Sequence, residues 1–185
     1  KNDYQRWESF GLKSWSYDKV LPYFKKIESW SGGENQYRGS LGELPVNQSK
    51  NNNPLFKAFL GASSEAGHKI NPDMNGEYQE GFGMFDTTIH NGERASASKY
   101  YLNPAKKRKN LNIFSNSFVE KIIFEGKKAI GIEVKIKNKV KKIYAEKELI
   151  LSCGSINSPQ LLMLSGVGNA EDLKAKGINV VHDLK

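Results

Sequence analysis

The chain has 185 residues, of which 38% are hydrophobic and 26% are charged, and this balance excludes an intrinsically disordered chain. Its net charge of +8 suggests a polyanion partner, but only four of its 28 cationic residues are arginine, the usual side chain for phosphate and base recognition, so we expect no nucleic-acid partner. The single Cys153 excludes an internal disulfide, and no apolar run approaches the roughly 20 residues that span a bilayer.

The first helical segment is predicted between Ser16 and Trp30. Ser16 suits the N-cap, and apolar residues then recur at helical spacing. Pro22 is unfavourable inside a helix, so we predict two short helical turns with an aromatic inner face that packs into the core. Residues 31–53 are rich in Gly, Asn and Ser and predict a loop that contains one edge strand at Leu44–Val46.

The next segments alternate helix and turn signals. A helix is predicted to begin at Pro54, because proline is favoured at the first helical position. Residues 82–89 then predict a strand, and Asn91–Gly92 is a strong signal for a tight turn after it. Ser96 suits the cap of a short helix that ends before Pro104.

The stretch from Leu111 to Ser152 predicts an antiparallel β-meander. Apolar and polar residues alternate there with period two, and turn residues interrupt the pattern at Glu125–Gly126 and at Asn138. This alternation puts three lysines on the solvated side of a strand rather than in a binding site: Lys135, Lys137 and Lys139.

A strand, a turn and a helix are predicted after the meander. The continuous apolar run Leu149–Leu151 is typical of a buried parallel strand. Ser158 suits the cap of the following helix, Pro159 its first position, and Gly166 its left-handed stop. Such a turn lies at the carboxyl end of a parallel strand, where open α/β sheets bind their ligands.

Residues 154–168 carry the most informative pattern of the chain. They read Gly-Ser, two free positions, Ser-Pro, one free position, Leu-Leu, two free positions, and Ser-Gly-Val-Gly. This segment resembles the signature of the glucose-methanol-choline (GMC) oxidoreductases, and the chain is similar to their choline-dehydrogenase-like branch over essentially its whole length. Further matching segments occur in the same order: Trp15–Asp18, Asn91–Ser96, Tyr101–Pro104, Gly131–Val134 and Gly177–Val181.

The resemblance implies an α/β fold with an α+β substrate lobe. The expected architecture is a partial FAD-binding, Rossmann-like domain with an antiparallel β-meander, joined to part of a substrate-binding lobe. Residues 1–42 are expected to form a helical and loop extension of the FAD domain, 43–97 part of the substrate-binding lobe, and 98–185 part of the FAD-binding domain.

The resemblance also implies that the reacting groups lie elsewhere. The chain begins with Lys1 rather than Met, and we expect it to be an internal fragment, the middle third of such an enzyme. The family's Gly-x-Gly-x-x-Gly phosphate loop is expected before Lys1 and its catalytic His beyond Lys185. We expect neither a catalytic residue nor a metal site here, because three histidines match no catalytic position and lack metal-ligand spacing: His68, His90 and His182.

Three residues are expected to contact the cofactor FAD. Val119 matches the family position whose backbone amide and carbonyl meet the adenine edge, and it also fits a buried strand. Gly154 and Ser155 fall in the turn where flavin approaches the backbone closely, and glycine permits that approach. We expect them to shape the wall of the site. We expect Cys153 beside them to be a small core residue rather than a redox thiol.

Several other polar residues have two interpretations. Arg94 and Ser96 fall in the region that resembles the substrate lobe, and either orient a substrate or serve as a structural ion pair and a helix cap; we favour the structural roles. Three carboxylates form a loose cluster that either attracts a cationic alcohol or is simply solvated: Asp73, Glu77 and Glu80.

The expected function is that of a fragment of an FAD-dependent oxidoreductase that oxidises the CH–OH group of a choline-like or other primary alcohol by hydride transfer to flavin. The alternatives are a non-catalytic, flavoprotein-like binding module and a lysine-rich polyanion binder. The expected partner is a small-molecule alcohol, with an electron acceptor that the sequence leaves open. The sequence does not fix a location; we expect the cytoplasm or the periphery of the inner membrane.

Overall fold

A computed structural model describes residues 1–184, which fall into two compact units, 1–111 and 112–184. The first unit contains α1 (Asn2–Ser9), α2 (Tyr17–Ile27), β1 (Glu28–Trp30), β2 (Leu44–Gln48), α3 (Pro54–Glu65), β3 (Asp86–Thr87), β4 (Ile89–His90), β5 (Glu93–Arg94) and α4 (Asn103–Ala105). The second contains β6 (Ser117–Glu125), β7 (Lys128–Ile136), β8 (Lys139–Tyr144), α5 (Gly154–Leu164), β9 (Val167–Gly168), α6 (Ala170–Ala175) and β10 (His182–Asp183).

Pro22 lies inside a continuous helix. Helix α2 runs without interruption from Tyr17 to Ile27, so the prediction of two separate helical turns was wrong. Proline there removes the hydrogen bond to the carbonyl four residues earlier and its ring crowds that carbonyl, a penalty that the packing of α2 through Val20 offsets. Ser16 is the N-cap of α2, as predicted. It acts through its carbonyl, which accepts from the Lys19 and Val20 amides, rather than through a side-chain hydrogen bond.

A three-stranded sheet forms the centre of the first unit, in the order β1-β2-β3. Strand β1 runs parallel to β2, and β3 is antiparallel to it. Strand β2 is therefore the middle strand, but over the predicted edge segment Leu44–Val46 it pairs with β1 only. Proline is tolerated at Pro45 because β3 pairs only with Asn47 and Gln48, so that at Pro45 the strand has a neighbour on one side only.

The signals around α3 are confirmed. The helix begins at Pro54, and the side chain of Asn53 accepts a hydrogen bond from the Leu55 amide at 3.0 Å. The predicted strand 82–89 is reduced to the two short strands β3 and β4.

The turn at Asn91–Gly92 is confirmed. It joins β4 to β5 with both residues at positive φ, 52° and 76°, which is the geometry that favours the Asn-Gly pair. The predicted cap at Ser96 is also confirmed, because its hydroxyl accepts from the Lys99 amide at 3.2 Å. The helical segment after it continues past Pro104 to Ala105, where it was predicted to end earlier.

The β-meander predicted for the second unit is confirmed. Strands β6, β7 and β8 are antiparallel neighbours in chain order. Ile122 and Val134 are each 2% exposed and form the centre of this unit's core. The pairing of β6 with β7 shifts register between Val119 and Lys121 and again between Ile123 and Phe124, which marks two β-bulges.

Two predictions after the meander were wrong. Residues Leu149–Leu151 form no strand within residues 1–184, and Ile150 is 78% exposed, because no described strand lies beside this segment to pair with it. Helix α5 begins at Gly154 rather than near Ser158–Pro159, so Pro159 lies inside it. The Ser158 hydroxyl accepts from the Cys153 amide at 3.0 Å instead of capping a helix that begins there.

The end of α5 follows the prediction. The backbone turns left-handed at Gly166, with φ 93°, and the Gly166 amide donates to the Met163 carbonyl. A short parallel pair, β9 with β10, closes the unit. No helix within residues 1–184 has the length and apolar character needed to cross a membrane.

Candidate functional site

Val119 lies in β6 beside the first β-bulge. It is half-buried and pairs with Val134, whereas Lys121 pairs with Glu133, so Glu120 is the extra residue. Such bulges redirect the backbone next to binding sites.

The register of β6 indicates where its backbone polar groups point. The Ile122 amide donates to the Ser165 hydroxyl at 2.8 Å, so it points away from β7. Ile122 faces Ile132, and Val119 faces Val134, two residues further along β7. Ile132 and Val134 lie two residues apart on β7 and direct their backbone groups to the same side, away from β6. We therefore expect the Val119 amide and carbonyl to be directed away from β7 as well.

Gly154 and Ser155 lie in the first turn of α5 rather than in a turn before it, and both are exposed. Gly154 has φ 89°, and a Cβ built on it meets nothing within 4 Å. The N-cap residue Cys153 gives no side-chain cap bond, and residues 1–184 supply no acceptor to the first amides of α5. These amides can therefore donate to a bound group that approaches Gly154.

Ser165 connects the end of α5 to β6. Its hydroxyl accepts from the Ile122 amide at 2.8 Å and donates to the Leu161 carbonyl at 2.6 Å, and the residue is 1% exposed. The strand that carries Val119 is thus hydrogen-bonded to the helix that carries Gly154. The three residues predicted to contact a cofactor lie on these two neighbouring elements.

Cys153 is exposed, which corrects the prediction of a small core residue. The prediction assumed that Leu149–Leu151 is a buried strand, and that strand does not form.

A buried ion cluster in the first unit was missed in the sequence. Arg38 is 3% exposed and pairs with three carboxylates: Glu28 at 3.1 Å, Asp73 at 2.6 Å and Asp86 at 2.8 Å. Its guanidinium also lies over the Trp30 ring, 4.3 Å from the ring centroid. The one available signal was that Arg38 is among only four arginines in a lysine-rich chain.

The electrostatics of this cluster favour the charged guanidinium. Burial lowers the pKa of Arg38. Hydrogen bonds to Glu28 and Asp86 and the negative charges of Glu28 and Asp73 raise this pKa by more than burial lowers it, so that it lies above its ordinary value. Glu28 also accepts from the Gly39 amide at 2.9 Å. Arg38 therefore joins β1, β3 and the loop at Asp73 by charge-assisted hydrogen bonds.

The three carboxylates predicted as a loose cluster separate into two environments. Asp73 is bound to Arg38, whereas Glu77 and Glu80 are exposed and line a cavity of about 1300 Å³ in the first unit. The cavity wall also includes Tyr78 and Asp86.

The remaining candidate residues are exposed, among them His68, His90 and His182. Arg94 is exposed and forms no ion pair with other residues of 1–184, so the structural ion pair favoured for it is absent there. Within the same residues, no three His, Cys, Asp or Glu side chains converge in a way that could hold a metal ion.

Comparison with known proteins identifies the class of this fold. Residues 1–184 match the GMC oxidoreductase family, and the chain belongs to that family. It is 50% identical over 179 residues to the mitochondrial choline dehydrogenase of Homo sapiens, which covers 97% of this chain and 30% of that protein. It is 48% identical over 181 residues to the oxygen-dependent choline dehydrogenase of Brucella anthropi, covering 98% of this chain and 33% of that protein.

Solved structures agree with this assignment. The pyridoxine 4-oxidase of Mesorbium loti superposes with a TM-score of 0.89 at 29% identity, covering 100% of this chain and 36% of that one. An FAD-dependent oxidoreductase from Chaetomium thermophilum gives a TM-score of 0.89 at 28% identity, covering 100% of this chain and 34% of that one. The mixed helix and sheet fold is therefore that of GMC oxidoreductases, and the chain spans about a third of the length of these relatives.

Proposed function

We propose that this chain is part of an FAD-dependent oxidoreductase that oxidises the CH–OH group of an alcohol. The observation that carries the proposal is the family match over residues 1–184, together with the choline dehydrogenases that are about half identical to the chain. FAD supplies the hydride acceptor when bound.

The chain's own contribution is to hold the cofactor rather than to move the proton. An alcohol oxidation needs a base near the reacting carbon with a pKa close to the working pH, and histidine is the usual choice. The three histidines of this chain are exposed and are not assigned that role; they are His68, His90 and His182. We propose that the catalytic histidine lies beyond Lys185.

The adenine end of FAD is proposed to meet Val119. A backbone amide and carbonyl that point away from β7 offer one donor and one acceptor, and the adenine edge presents a complementary acceptor nitrogen and amino group. The hydrogen bond from the Ile122 amide to Ser165 supports this orientation. The Val119 side chain remains free to pack in the sheet.

Gly154 and Ser155 are proposed to form the wall that the cofactor approaches. The open space at Gly154 and the unpaired amides of the first turn of α5 fit a group that carries acceptor atoms. A side chain at residue 154 would narrow this approach.

The regions of the chain are proposed to divide as in the family. Residues 1–42 extend the FAD domain, residues 43–97 belong to the substrate-binding lobe, and residues 98–185 belong to the FAD-binding domain.

The substrate is proposed to be choline or a similar primary alcohol, as the names of the relatives suggest. The test is anaerobic addition of choline to the complete gene product loaded with FAD. We expect the visible absorption of oxidised flavin to bleach. The matched control is the neutral analogue in which a tert-butyl group replaces the trimethylammonium group.

Bleaching by choline but not by the neutral analogue identifies recognition of the cation. Bleaching by both identifies a general primary-alcohol oxidoreductase. If FAD binds but no alcohol from a panel of sugars, polyols and primary alcohols reduces it, the protein is instead a non-catalytic, flavoprotein-like module.

The proposed backbone contact of Val119 has its own test. Val119→Pro removes the amide donor without removing a sheet hydrogen bond, because that amide points away from β7. Val119→Ala keeps the amide and removes only side-chain packing. We expect the proline variant of the complete gene product to bind FAD at least about tenfold more weakly than the alanine variant, the effect of losing one well-placed hydrogen bond. Equal FAD affinities contradict the contact.

A further inference from the structure

Ser165 is the most deeply buried polar residue of the second unit, with 1% of its surface exposed. Its hydroxyl makes one bond as acceptor and one as donor: it accepts from the Ile122 amide at 2.8 Å and donates to the Leu161 carbonyl at 2.6 Å. A single hydroxyl therefore links β6 to the last turn of α5.

The hydroxyl is not needed to terminate the helix. The Ser165 amide already donates to the Leu161 carbonyl at 3.1 Å, and the Gly166 amide donates to Met163 at 3.0 Å. The feature that the hydroxyl adds is an acceptor for Ile122, which lies on another element. Ser165 thus acts between elements rather than within α5.

The strand needs this restraint because of its position in the sheet. Among residues 1–184, β6 is an edge strand that pairs with β7 alone, and the bulge at Glu120 interrupts the ladder beside Val119. A bulged edge strand forms fewer hydrogen bonds than a regular inner strand, and its free side is held by none of the ladder bonds. The hydrogen bond from the Ile122 amide to Ser165 holds this free edge at a point three residues beyond Val119.

We infer that Ser165 is a positioning residue that holds the free edge of β6, and with it the Val119 backbone, in place against α5 for the adenine end of FAD. This inference rests on the proposed function. It assigns to Ser165, a residue of the family signature, a role that does not require contact with the cofactor. The neighbouring Gly166 serves the fold instead, since its carbonyl accepts from the Val181 amide at 2.7 Å.

The test compares three variants of the complete gene product. Ser165→Ala removes the acceptor and leaves the Ile122 amide buried without a partner. Ser165→Thr restores a hydroxyl. Ser63→Ala is the matched control, because Ser63 is 6% exposed and its hydroxyl donates to the Leu60 carbonyl within its own helix, without a bond to another element.

The measurements are the dissociation constants of FAD and of ADP and the hydrogen-exchange rate of the Ile122 amide, at a temperature where circular dichroism shows every variant folded. For Ser165→Ala we expect both dissociation constants to rise by the same factor, about tenfold, and Ile122 to exchange faster. We expect Ser165→Thr to restore them and Ser63→Ala to leave them unchanged. ADP is included because it carries the adenine end without the flavin ring.

Unchanged FAD and ADP affinities in Ser165→Ala, with faster exchange at Ile122, overturn the positioning role and leave Ser165 a structural link. A loss of affinity that persists in Ser165→Thr although the Ile122 amide again exchanges at the wild-type rate also overturns it, since the hydrogen bond is then not the relevant feature. A wild-type protein that binds neither FAD nor ADP overturns the proposed function itself, and that outcome is recognised before any variant is compared.

Discussion

The buried guanidinium of Arg38 forms ion pairs with three carboxylates of the first unit. Buried ion pairs add little net stability compared with apolar residues of the same size, because both charges lose their hydration. Removing one partner is different, since the others remain buried without compensation. At Arg38, three carboxylates that are each at most 15% exposed would lose their common cation.

Arg38→Met is therefore expected to lower the free energy of unfolding of the first unit by about 3–5 kcal/mol. The matched control is Arg94→Met, because Arg94 is exposed and has no ion pair within residues 1–184; we expect a change within about 0.5 kcal/mol. Urea denaturation followed by tryptophan fluorescence measures both, with Trp30 beside Arg38 as the reporter. Equal effects of the two substitutions would show that the cluster does not stabilise the unit.

The exposed pair Glu93–Lys99 predicts a pH effect of defined sign. A hydrogen bond from Lys99, and then its charge, hold the pKa of Glu93 below the ordinary value of 4.5. A lowered pKa in the folded state means that the stabilisation is present above pH 4.5 and is lost as the pH falls through the lowered pKa. Lys99→Met should raise the pKa of Glu93 towards 4.5, as measured by NMR titration. A pKa that does not move excludes the pair in solution.

At the residue scale, the sequence predicted the features that depend only on neighbouring residues. The Ser96 cap and the Asn91–Gly92 turn depend on neighbours a few residues away, and both were predicted. The Arg38 cluster was not, because Asp73 and Asp86 are 35 and 48 residues from Arg38. No periodicity or spacing relates side chains that only the sheet and the loop at Asp73 bring together.

At the scale of elements, the meander was predictable because apolar and polar residues alternate with period two and turn residues interrupt the pattern. In the structure the buried positions are Ile122, Gly131 and Val134, and β8 is exposed along its whole length. The bulge at Glu120, which interrupts the ladder beside Val119, left no comparable signal. The residues of the proposed cofactor site therefore came from the family resemblance, and their backbone geometry came from the structure.

The proline signals were overestimated. Pro22 and Pro159 both lie inside helices, although an internal proline costs a helix about 3 kcal/mol. Burial of Val20 in α2 and of Leu161 in α5 offsets this penalty through packing, which local propensity does not include. The strand predicted at Leu149–Leu151 was wrong, because a buried strand requires partner strands as well as apolar residues.

The left-handed end of α5 gives a prediction at this scale. Gly166 has φ 93°, and a Cβ there would approach the Asn179 carbonyl oxygen to 2.4 Å. Gly177 also has positive φ, 71°, but its Cβ would meet nothing within 4 Å. Gly177→Ala should cost only the backbone strain, about 1–2 kcal/mol, and Gly166→Ala clearly more.

Thermal unfolding of the two glycine variants, followed by circular dichroism, provides the comparison. Equal losses would mean that the segment at Asn179 moves away freely and that Gly166 is required only for its backbone angle.

At the scale of the whole molecule, the chain spans about a third of the relatives it matches and carries no Gly-x-Gly-x-x-Gly segment within its 185 residues. We therefore expect residues 1–185 alone neither to hold FAD tightly nor to oxidise alcohols, since β6 and α5 offer backbone contacts but no phosphate loop. Absorbance of the purified chain measures this. Flavin that copurifies at one per chain would contradict the prediction.

We propose that β6 and the first turn of α5 form part of an FAD site in an alcohol-oxidising flavoprotein. A spectrophotometric titration of the complete gene product with FAD, followed by anaerobic addition of alcohols, tests this proposal. We expect saturable binding of one FAD per chain and bleaching of the bound flavin by a primary alcohol. Absence of FAD binding, or a bound flavin that stays oxidised with every alcohol tested, would contradict it.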